Sequence, residues 1–414
     1  MGESYATDLQ DYERREIAED VAEVIDAVRR RGDAALRDFA FRAHGETRAE
    51  LRLDDDEIQR SVQDLPGTTR SRLADAQERM RTAAQAQRDC LRDCESQPSS
   101  GFVQGIRHVA VGSSAAYLSR PRGDDPRAGL PSFHAAVVLA RCAGVSRVVA
   151  CIRPCGGPAQ SVCVAAAHIG GADEVYLLDG VHGIAALAVG TESVPRVDVV
   201  AGAGDPLTAE ACHRLFGERA LDVSARSDDL LLIADRTADA RRAAAELIAA
   251  VLADGEARAV LVTASSTLAH LVSVHVEQAL LHHPQAGVAR AAWRGRGSIR
   301  VVSDAMAACA LADRYAFGHV RVIAETPRWY LDRLRNHGTV SLGFAGRGEE
   351  RLAPLGAPVA VDASAPRHPR ALWIGHFMRA VTYREWADDG VAGGLASGER
   401  QLADTVVALA PSLG

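Results

Sequence analysis

The sequence predicts an α/β protein built around two parallel β-sheets. From about Ser146 onward, short β-branched runs alternate with helical segments, a rhythm typical of βαβ units whose helices cover parallel strands. The alternation breaks near Ser224–Asp229, which divides the strands into two groups. A chain of 414 residues is also long enough for two hydrophobic cores. The predicted strands are SRVVACI, DEVYLL, RVDVVAGAG, DLLLIAD, ARAVLVT, IRVVS and HVRVIAE.

The region before these strands is predicted to be helical. Residues Ala18 to Phe41 place apolar side chains on one helical face. Gly32-Asp33 interrupts that pattern, so we expect two helices joined by a short turn. Ser71 to Arg92, rich in Ala, Arg and Gln, is a further helix candidate.

The C-terminal region follows a different pattern from the two sheets. The alternation of strands and helices ends at Gly343. A stretch rich in Pro, Gly and Arg follows and continues to about Arg370. A short aromatic segment, Leu372 to Trp386, and a final helix, Gly398 to Leu409, follow it. We therefore expect a C-terminal helical segment outside the sheets.

The composition narrows the class of partner. Hydrophobic residues make up 47% of the chain and charged residues 24%, the balance of a globular protein. The formal net charge of −7 argues against nucleic acid and anionic membranes as partners. No apolar run approaches the roughly 20 residues of a membrane span, and Met1-Gly2-Glu3 begins no signal peptide. We expect a cytoplasmic protein that acts on a small molecule.

Two residue types limit the chemistry. The eight cysteines are scattered, several of them inside apolar patterns, so they are predicted to be reduced core residues. The chain has no lysine, and all 47 basic residues are arginines. Schiff-base catalysis and a Walker-type phosphate lysine are therefore both excluded.

The stretch VVAGAGDPLTAE, Val199 to Glu210, has the strand–turn–helix pattern of a ligand-binding edge. In a parallel sheet, ligands bind beyond the carboxyl ends of the strands, where helix N-termini present free N–H groups. Asp205 is a good N-cap and Pro206 suits the first helical position. However, GxGxxG is absent, and the Asp205 carboxylate would face an anionic ligand. The residues leave open a nucleotide site and a structural turn capped by its own aspartate.

Two histidines are candidates for chemistry. His319, in YAFGHV, comes just before a strand, a position from which a side chain can face a cleft. His182 opens the helical segment GIAALAVG. For each of them, a buried structural role is the alternative. His282-His283 is expected to end a helix at the surface, where it interacts favourably with the helix dipole.

The segment HGIAALAVGTESVPRVDVVAGAGD, His182 to Asp205, resembles a known family. It is similar to the QAIAALAxGTxxxPxVDxIxGPGN motif of the zinc- and NAD-dependent histidinol dehydrogenases. The likeness runs from about Glu16 to the C-terminus, and YAFGHVRVI is similar to the family's YGPEHL stretch. The resemblance implies two incomplete Rossmann-like domains in a homodimer, with a C-terminal helical segment of each subunit reaching into the partner's active site.

The domain boundaries are assigned on this resemblance. Residues 12–116 and 230–365 are expected to form the first Rossmann-like domain, which includes the N-terminal helices. Residues 117–229 are expected to form the second. Residues 370–414 form the predicted C-terminal helical segment, which would pack on the partner subunit.

The resemblance fails at the family's zinc ligands. Val251 and Asp254 stand at the Gln and His of the AEHG ligand motif, and no carboxylate lies near Leu352, where a third ligand is expected. Asp404 replaces the C-terminal His, although the neighbouring Glu399 is kept. Valine cannot ligate a metal, and two aspartates do not reproduce the family's nitrogen and oxygen ligands. We therefore expect no zinc.

The catalytic and nucleotide residues are only partly retained. The family's Glu-His pair corresponds to Gly318-His319, which removes the base that would activate water for a second oxidation. Tyr117 matches a Tyr of the family's YIPGG loop, His182 stands at a NAD-contacting Gln, and Asp205 stands at an Asn. We expect no cofactor, with NAD(P) held by these three residues as the alternative.

Three functions are consistent with these matches. The first is an enzyme with changed chemistry, not a true zinc-dependent histidinol dehydrogenase. It would use His319 for metal-independent acid–base catalysis of a cyclisation, isomerisation or elimination in specialised metabolism. The second is a zinc-independent NAD(P)-linked alcohol dehydrogenase, and the third is a non-catalytic ligand-binding homologue. The expected substrate contacts are Tyr117, Asp228 (at the family's substrate-binding Ser), Asp254, Glu399 and Asp404, the last two from the partner subunit.

Overall fold

Two five-stranded parallel sheets carry the fold, as the sequence predicts. They are seen in a computed structural model of the chain. It describes residues 2–45, 48, 50–99, 102–118, 129–215, 217, 220–224, 229–253, 257–344 and 372–386.

Four helices come first in the chain: α1 (Gly2–Arg31), α2 (Asp33–His44), α3 (Asp55–Gln63) and α4 (Gly67–Cys90). Gly32 separates α1 from α2 at a positive φ of 52°, where the sequence predicts the turn. Helix α3 begins with a capping box. The Asp54 carboxylate accepts the N–H of Glu57 at 2.7 Å, and the Glu57 carboxylate accepts the N–H of Asp54 at 2.9 Å. A β-hairpin of β1 (Cys94–Ser99) and β2 (Phe102–Ala110) follows.

The first parallel sheet occupies residues 113–224. Its spatial order is β5-β4-β3-β6-β7, so the direction of winding reverses between β3 and β6. Buried aliphatic side chains cover both faces of this sheet. In chain order the elements are β3 (Ser113–Leu118), α5 (Leu130–Ala143), β4 (Arg147–Ile152), α6 (Gly157–Gly170), β5 (Glu174–Leu177), α7 (Gly180–Val189), β6 (Val199–Ala203), α8 (Pro206–Leu215) and β7 (Ala220–Ser224).

The second parallel sheet occupies residues 230–342, in the spatial order β10-β9-β8-β11-β12. It has a core on each face as well, as expected for a sheet covered by helices on both sides. In chain order the elements are β8 (Leu230–Ala234), α9 (Ala240–Ala253), β9 (Ala259–Thr263), α10 (Ser266–His282), α11 (Ala286–Arg296), β10 (Gly297–Val301), α12 (Ala305–Tyr315), β11 (His319–Ile323), α13 (Pro327–Leu331) and β12 (Thr339–Leu342).

The aromatic segment near the C-terminus forms a strand instead of a helix. After a 3-10 turn at Ile374–Phe377, β13 (Met378–Trp386) pairs antiparallel with β2 along its full length. Its run of β-branched and aromatic residues favours this pairing. The predicted helical segment 370–414 is therefore corrected over residues 378–386. The other residues of that segment, including the predicted helix 398–409, lie outside the described residues except for Leu372–Phe377.

The N-terminal helices pack on the first sheet, which differs from the predicted domain division. Helix α1 contacts α7 and α8, α3 contacts α6, and α4 contacts α5. Val21, Ile25 and Val28 share one core with Ile184 and Leu187 of α7. The apolar faces of these helices thus complete the core around residues 113–224, whereas the prediction joined residues 12–116 to residues 230–365. The sheet also begins at Ser113, ahead of the predicted boundary at residue 117.

All eight cysteines lie within the described residues, and none forms a disulfide. Cys151, Cys163, Cys212 and Cys309 are buried, as predicted. The prediction is wrong for Cys90, Cys94 and Cys155, which are exposed at the ends of elements. Among the described residues, no helix combines the length and the apolarity that crossing a membrane requires.

His134 of α5 gives the fold a testable pH dependence. It is 2% exposed, its Nδ1 lies 2.9 Å from the carbonyl oxygen of Ala166, and burial lowers the pKa of its imidazole below 6.5. The unfolded chain therefore takes up a proton at a higher pH than the folded chain, so the free energy of unfolding decreases as the pH falls through 6.5. We expect His134→Leu to reduce this loss between pH 7.5 and pH 5.5, measured by urea unfolding.

The control for this experiment is His270→Gln, which changes an exposed histidine on α10. It should leave the pH dependence of unfolding as in the wild type. An unchanged pH dependence in His134→Leu would show that His134 does not contribute to it.

Candidate functional site

The carboxyl edge of the first sheet has the geometry of a ligand crevice. Helices α6, α7 and α8 begin there, directly after β4, β5 and β6. The winding reverses between β3 and β6, the point at which open α/β sheets bind ligands. Tyr117, near the end of β3, and Asp205, after β6, lie at this point.

Asp205 caps helix α8. Its carboxylate accepts the N–H of Thr208 at 2.9 Å, and the Thr208 hydroxyl accepts the N–H of Asp205 at 2.7 Å. This reciprocal pair satisfies a helix N–H that a bound anion would otherwise use. Of the two interpretations of VVAGAGDPLTAE, the geometry matches the turn capped by its own aspartate.

Tyr117 of β3 reaches the start of α7, where His182 is located, and both side chains are buried. The Tyr117 side chain is 0% exposed, and its hydroxyl donates a hydrogen bond to the carbonyl oxygen of Gly180 at 3.0 Å. The His182 ring stacks on Phe39 of α2 at a centroid distance of 5.7 Å. The Tyr117 ring thus supports the β3–α7 packing, and its contact with a substrate stays a prediction.

A second carboxylate lies at this edge. Asp179 is the N-cap of α7, is buried, and forms an ion pair with Arg153 at 3.4 Å. The N-termini of α7 and α8 thus both begin with an aspartate. Because Arg153 offsets the charge of Asp179, the repulsion of a dinucleotide diphosphate comes from the Asp205 carboxylate. The residues at these helix ends do not fit that group.

His319 is the first residue of β11 and lies at the amino edge of the second sheet. Its Nε2 is 2.9 Å from the Ser341 hydroxyl on the neighbouring strand β12. Burial, with a smaller contribution from the positive charge of Arg321, lowers the pKa of the His319 imidazole to about 4. The ring is therefore neutral at pH 7.

A buried ion pair lies beside His319 on the same face of β11. Arg321, two residues further along the strand, is 2% exposed, and its Nη1 is 2.9 Å from a carboxylate oxygen of Glu246 on α9. In the parallel register Arg321 pairs with Ser341. Burial raises the pKa of Glu246, and the charge of Arg321 opposes that rise. The polar cluster thus consists of His319, Ser341, Arg321 and Glu246.

The chain connection limits how far apart the two sheet edges can lie. Strand β7 ends at Ser224, at the carboxyl edge of the first sheet, and β8 begins at Leu230, at the amino edge of the second. Six extended residues span at most about 22 Å. His319 pairs with Leu230 in the register, so it lies on the edge that this connection enters. The two edges can therefore form a cleft between two domains, a preferred position for small-molecule sites.

The family's zinc site does not fit the one ligand position that the structure describes. Val251 is 1% exposed and packs in the core between α9 and the second sheet. A buried valine offers no ligand to a metal. The other predicted site residues, Asp228, Asp254, Glu399 and Asp404, lie outside the described residues, as does Leu352.

Sequence reasoning identified His319 but missed the residues that surround it. The charged Arg321 in the middle of the apolar run HVRVI was the available signal. Residues 319 and 321 must share one face of a strand, so a buried arginine beside His319 could have been inferred. Ser341 and Glu246 gave no such signal, because only the tertiary fold brings them to the cluster.

Two consecutive parallel sheets, each with helices on both faces and with a ligand edge at the switch point, define a two-domain Rossmann-like protein. The family model described as histidinol dehydrogenase matches residues 8–356. The chain belongs to the histidinol dehydrogenase family.

Individual relatives agree with this assignment. The chain is 32% identical over 381 residues to a histidinol dehydrogenase homolog of Shouchella clausii, covering 91% of this chain and 88% of that protein. It is 34% identical over 370 residues to histidinol dehydrogenase homolog 1 of Mesorhizobium japonicum, covering 89% and 73%. The crystal structure of histidinol dehydrogenase from Elizabethkingia anophelis has a TM-score of 0.83 at 19% identity, covering 95% and 89%, which shows the shared fold.

Proposed function

We propose that this protein is a histidinol-dehydrogenase-like enzyme with changed chemistry, which catalyses a metal-independent acid–base reaction on a small molecule in specialised metabolism. The observation that carries the proposal is that His319 is present and held by a hydrogen bond, whereas the base beside it is absent. Its ring is held by Ser341 at the amino edge of the second sheet, while glycine occupies position 318 beside it. The proton-transfer group is retained without the neighbouring base that a second oxidation requires.

The neutral state of the imidazole supports a specific task for His319. A ring with a pKa of about 4 does not carry a proton at pH 7, so it can accept one from an acidic C–H, N–H or O–H group of the substrate. The same ring can return the proton to another atom of the same molecule. Cyclisation, isomerisation and elimination all consist of such a transfer, and none of them requires a hydride acceptor.

The search for the substrate tests the proposal directly. A small-molecule extract of the source organism is incubated with the wild type and with His319→Gln, and both are analysed by mass spectrometry. We expect one compound to be consumed by the wild type and left intact by the variant. Equal profiles for the two proteins, with one compound bound but unchanged, would favour the non-catalytic homologue. The substrate contacts assigned to Asp228, Asp254, Glu399 and Asp404, and the exchanged homodimer, remain predictions.

A zinc-independent NAD(P)-linked dehydrogenase is the second candidate, favoured by one observation. Helix α8 still begins at the β3/β6 switch point, where dinucleotides bind in this class of fold. The carboxylate of Asp205 at the start of α8 opposes it. The two candidates differ in whether the protein binds the dinucleotide.

Excess NAD⁺ or NADP⁺ is expected to leave the Tm of the wild type unchanged. The matched variant is Asp205→Asn, which keeps an oxygen to cap Thr208 and removes the negative charge. A Tm increase in this variant alone would identify the Asp205 charge as the barrier to the dinucleotide. A Tm increase in the wild type, measured by differential scanning fluorimetry, would favour the dehydrogenase.

A further inference from the structure

We propose that Ser341 is a positioning residue that exchanges a proton with Nε2 of His319, so that the imidazole stays neutral throughout the reaction. This inference rests on the proposed function, in which His319 transfers a proton of the substrate. It adds Ser341, on the edge strand β12, and Arg321, in the middle of β11, to the residues that determine the chemistry.

The hydrogen bond assigns the two ring nitrogens of His319 to different tasks. Nε2 lies 2.9 Å from the Ser341 hydroxyl, so Nδ1 is the ring nitrogen left for the substrate. A serine hydroxyl can donate to a bare Nε2 or accept from a protonated one. Ser341 can therefore satisfy both neutral tautomers of His319 without a change in position.

The charges around the ring disfavour its cationic form. Arg321 lies on the same face of β11 and directly opposite Ser341 in the register, and its partner Glu246 is engaged by its guanidinium. Arg242, on the same helix as Glu246, adds a further positive charge near Arg321. A further ion pair, Asp229 with Arg258 at 2.6 Å, lies at the same amino edge of the sheet. A second cation on the His319 ring would be repelled by Arg321, which agrees with a pKa of about 4.

A relay through Ser341 avoids that cation. Nδ1 of His319 takes a proton from the substrate as the Nε2 proton passes to the Ser341 oxygen. The original hydroxyl proton of Ser341 leaves to water, which its half-buried position on an edge strand allows. The ring begins and ends neutral, and it changes only its tautomer. The reverse sequence returns a proton to the substrate.

The same electrostatics argue against Ser341 as a nucleophile. A serine activated by histidine forms an imidazolium when the hydroxyl attacks. That charge would develop beside Arg321, where it is disfavoured. We therefore expect a fluorophosphonate probe to leave Ser341 unlabelled, and stoichiometric labelling would contradict the relay.

Nitrogen-15 NMR of the histidine-labelled protein tests the relay without a substrate. The His319 signals are assigned by their loss in His319→Gln. We expect the wild-type ring to stay neutral from pH 8 to pH 5, and Ser341→Ala to shift the Nε2 resonance. Ser341→Thr, which keeps a hydroxyl, should restore it. The control Ser298→Ala removes a hydroxyl from β10, the opposite edge strand of the same sheet, and should change nothing.

Two results would overturn the inference. One is a His319 ring that titrates near pH 6.5 in the wild type, and the other is an Nε2 resonance that Ser341→Ala leaves in place. With the substrate in hand, Ser341→Ala should reduce kcat by about ten-fold or more with little change in KM, and Ser341→Thr should recover most of it. A confirmed resonance shift without any turnover would refute the proposed function but leave the positioning of His319 intact.

Discussion

Replacing His319 by glutamine is expected to slow turnover of the substrate by about 10²–10⁴-fold, the usual contribution of a positioned acid–base group. Glutamine keeps a polar side chain that can hydrogen-bond Ser341, so the strand pairing of β11 and β12 should survive. It cannot accept and release a proton at pH 7. The loss is therefore expected in kcat, measured under saturating substrate, with an unchanged unfolding transition.

The pH profile of the wild type gives this prediction a second readout. Because the pKa of the His319 imidazole is about 4, its ionisation should add no inflection to kcat between pH 6 and pH 8. His270→Gln, at an exposed histidine, should retain wild-type kcat. Retention of kcat in His319→Gln would contradict the assigned role of this residue.

Replacing Gly202 by alanine is expected to reduce the free energy of unfolding by about 3 kcal/mol or more, the range of severe backbone conflicts. Gly202 lies in β6 opposite Tyr117 of β3, with a φ of 150°. A Cβ at this position would overlap the backbone carbonyl of Tyr117, and a backbone group in a paired strand cannot move aside. The two strands at the switch point would have to separate.

The matched control is Gly287→Ala in helix α11, where an added Cβ meets no atom within 4 Å. Alanine there should stabilise the protein by about 0.5–1 kcal/mol, because glycine is the poorer helix former. Urea unfolding of both variants measures the difference. Equal stability of Gly202→Ala and the wild type would mean that β3 and β6 are not packed as closely as described.

Local patterns predicted the parallel sheets well. Runs such as VVACI and LLLIA are apolar throughout because both faces of each sheet are covered by helices. The β1–β2–β13 sheet was missed because β13 pairs with β2 from far along the chain, and because the strands carry exposed, mixed side chains. Strand β3 was missed because SSAAYL is rich in small residues with weak strand preference. The packing of α1 to α4 on the first sheet was also missed. Helical periodicity shows which face of a helix is apolar, but it does not show which sheet that face will cover.

In the candidate site, too, local sequence predicted some features and tertiary packing determined the others. The N-cap role of Asp205 could be predicted, since it depends on four consecutive residues. Tyr117 was assigned to a substrate on resemblance, but its burial comes from the packing of α7 on β3. Ser341 and Glu246 reach His319 only through strand pairing and through the packing of α9. Sequence reasoning therefore located the chemical group, and the structure supplied the surroundings that determine its protonation.

The mass difference between the compound consumed and the compound formed distinguishes acid–base chemistry from oxidation. An isomerisation or cyclisation leaves the mass unchanged, and an elimination removes a neutral molecule such as water or ammonia. We expect one of these results with the wild type alone, without NAD⁺ and in the presence of a strong chelator. A product that has lost two hydrogen atoms, formed only when NAD⁺ is added and converted to NADH, would contradict this expectation.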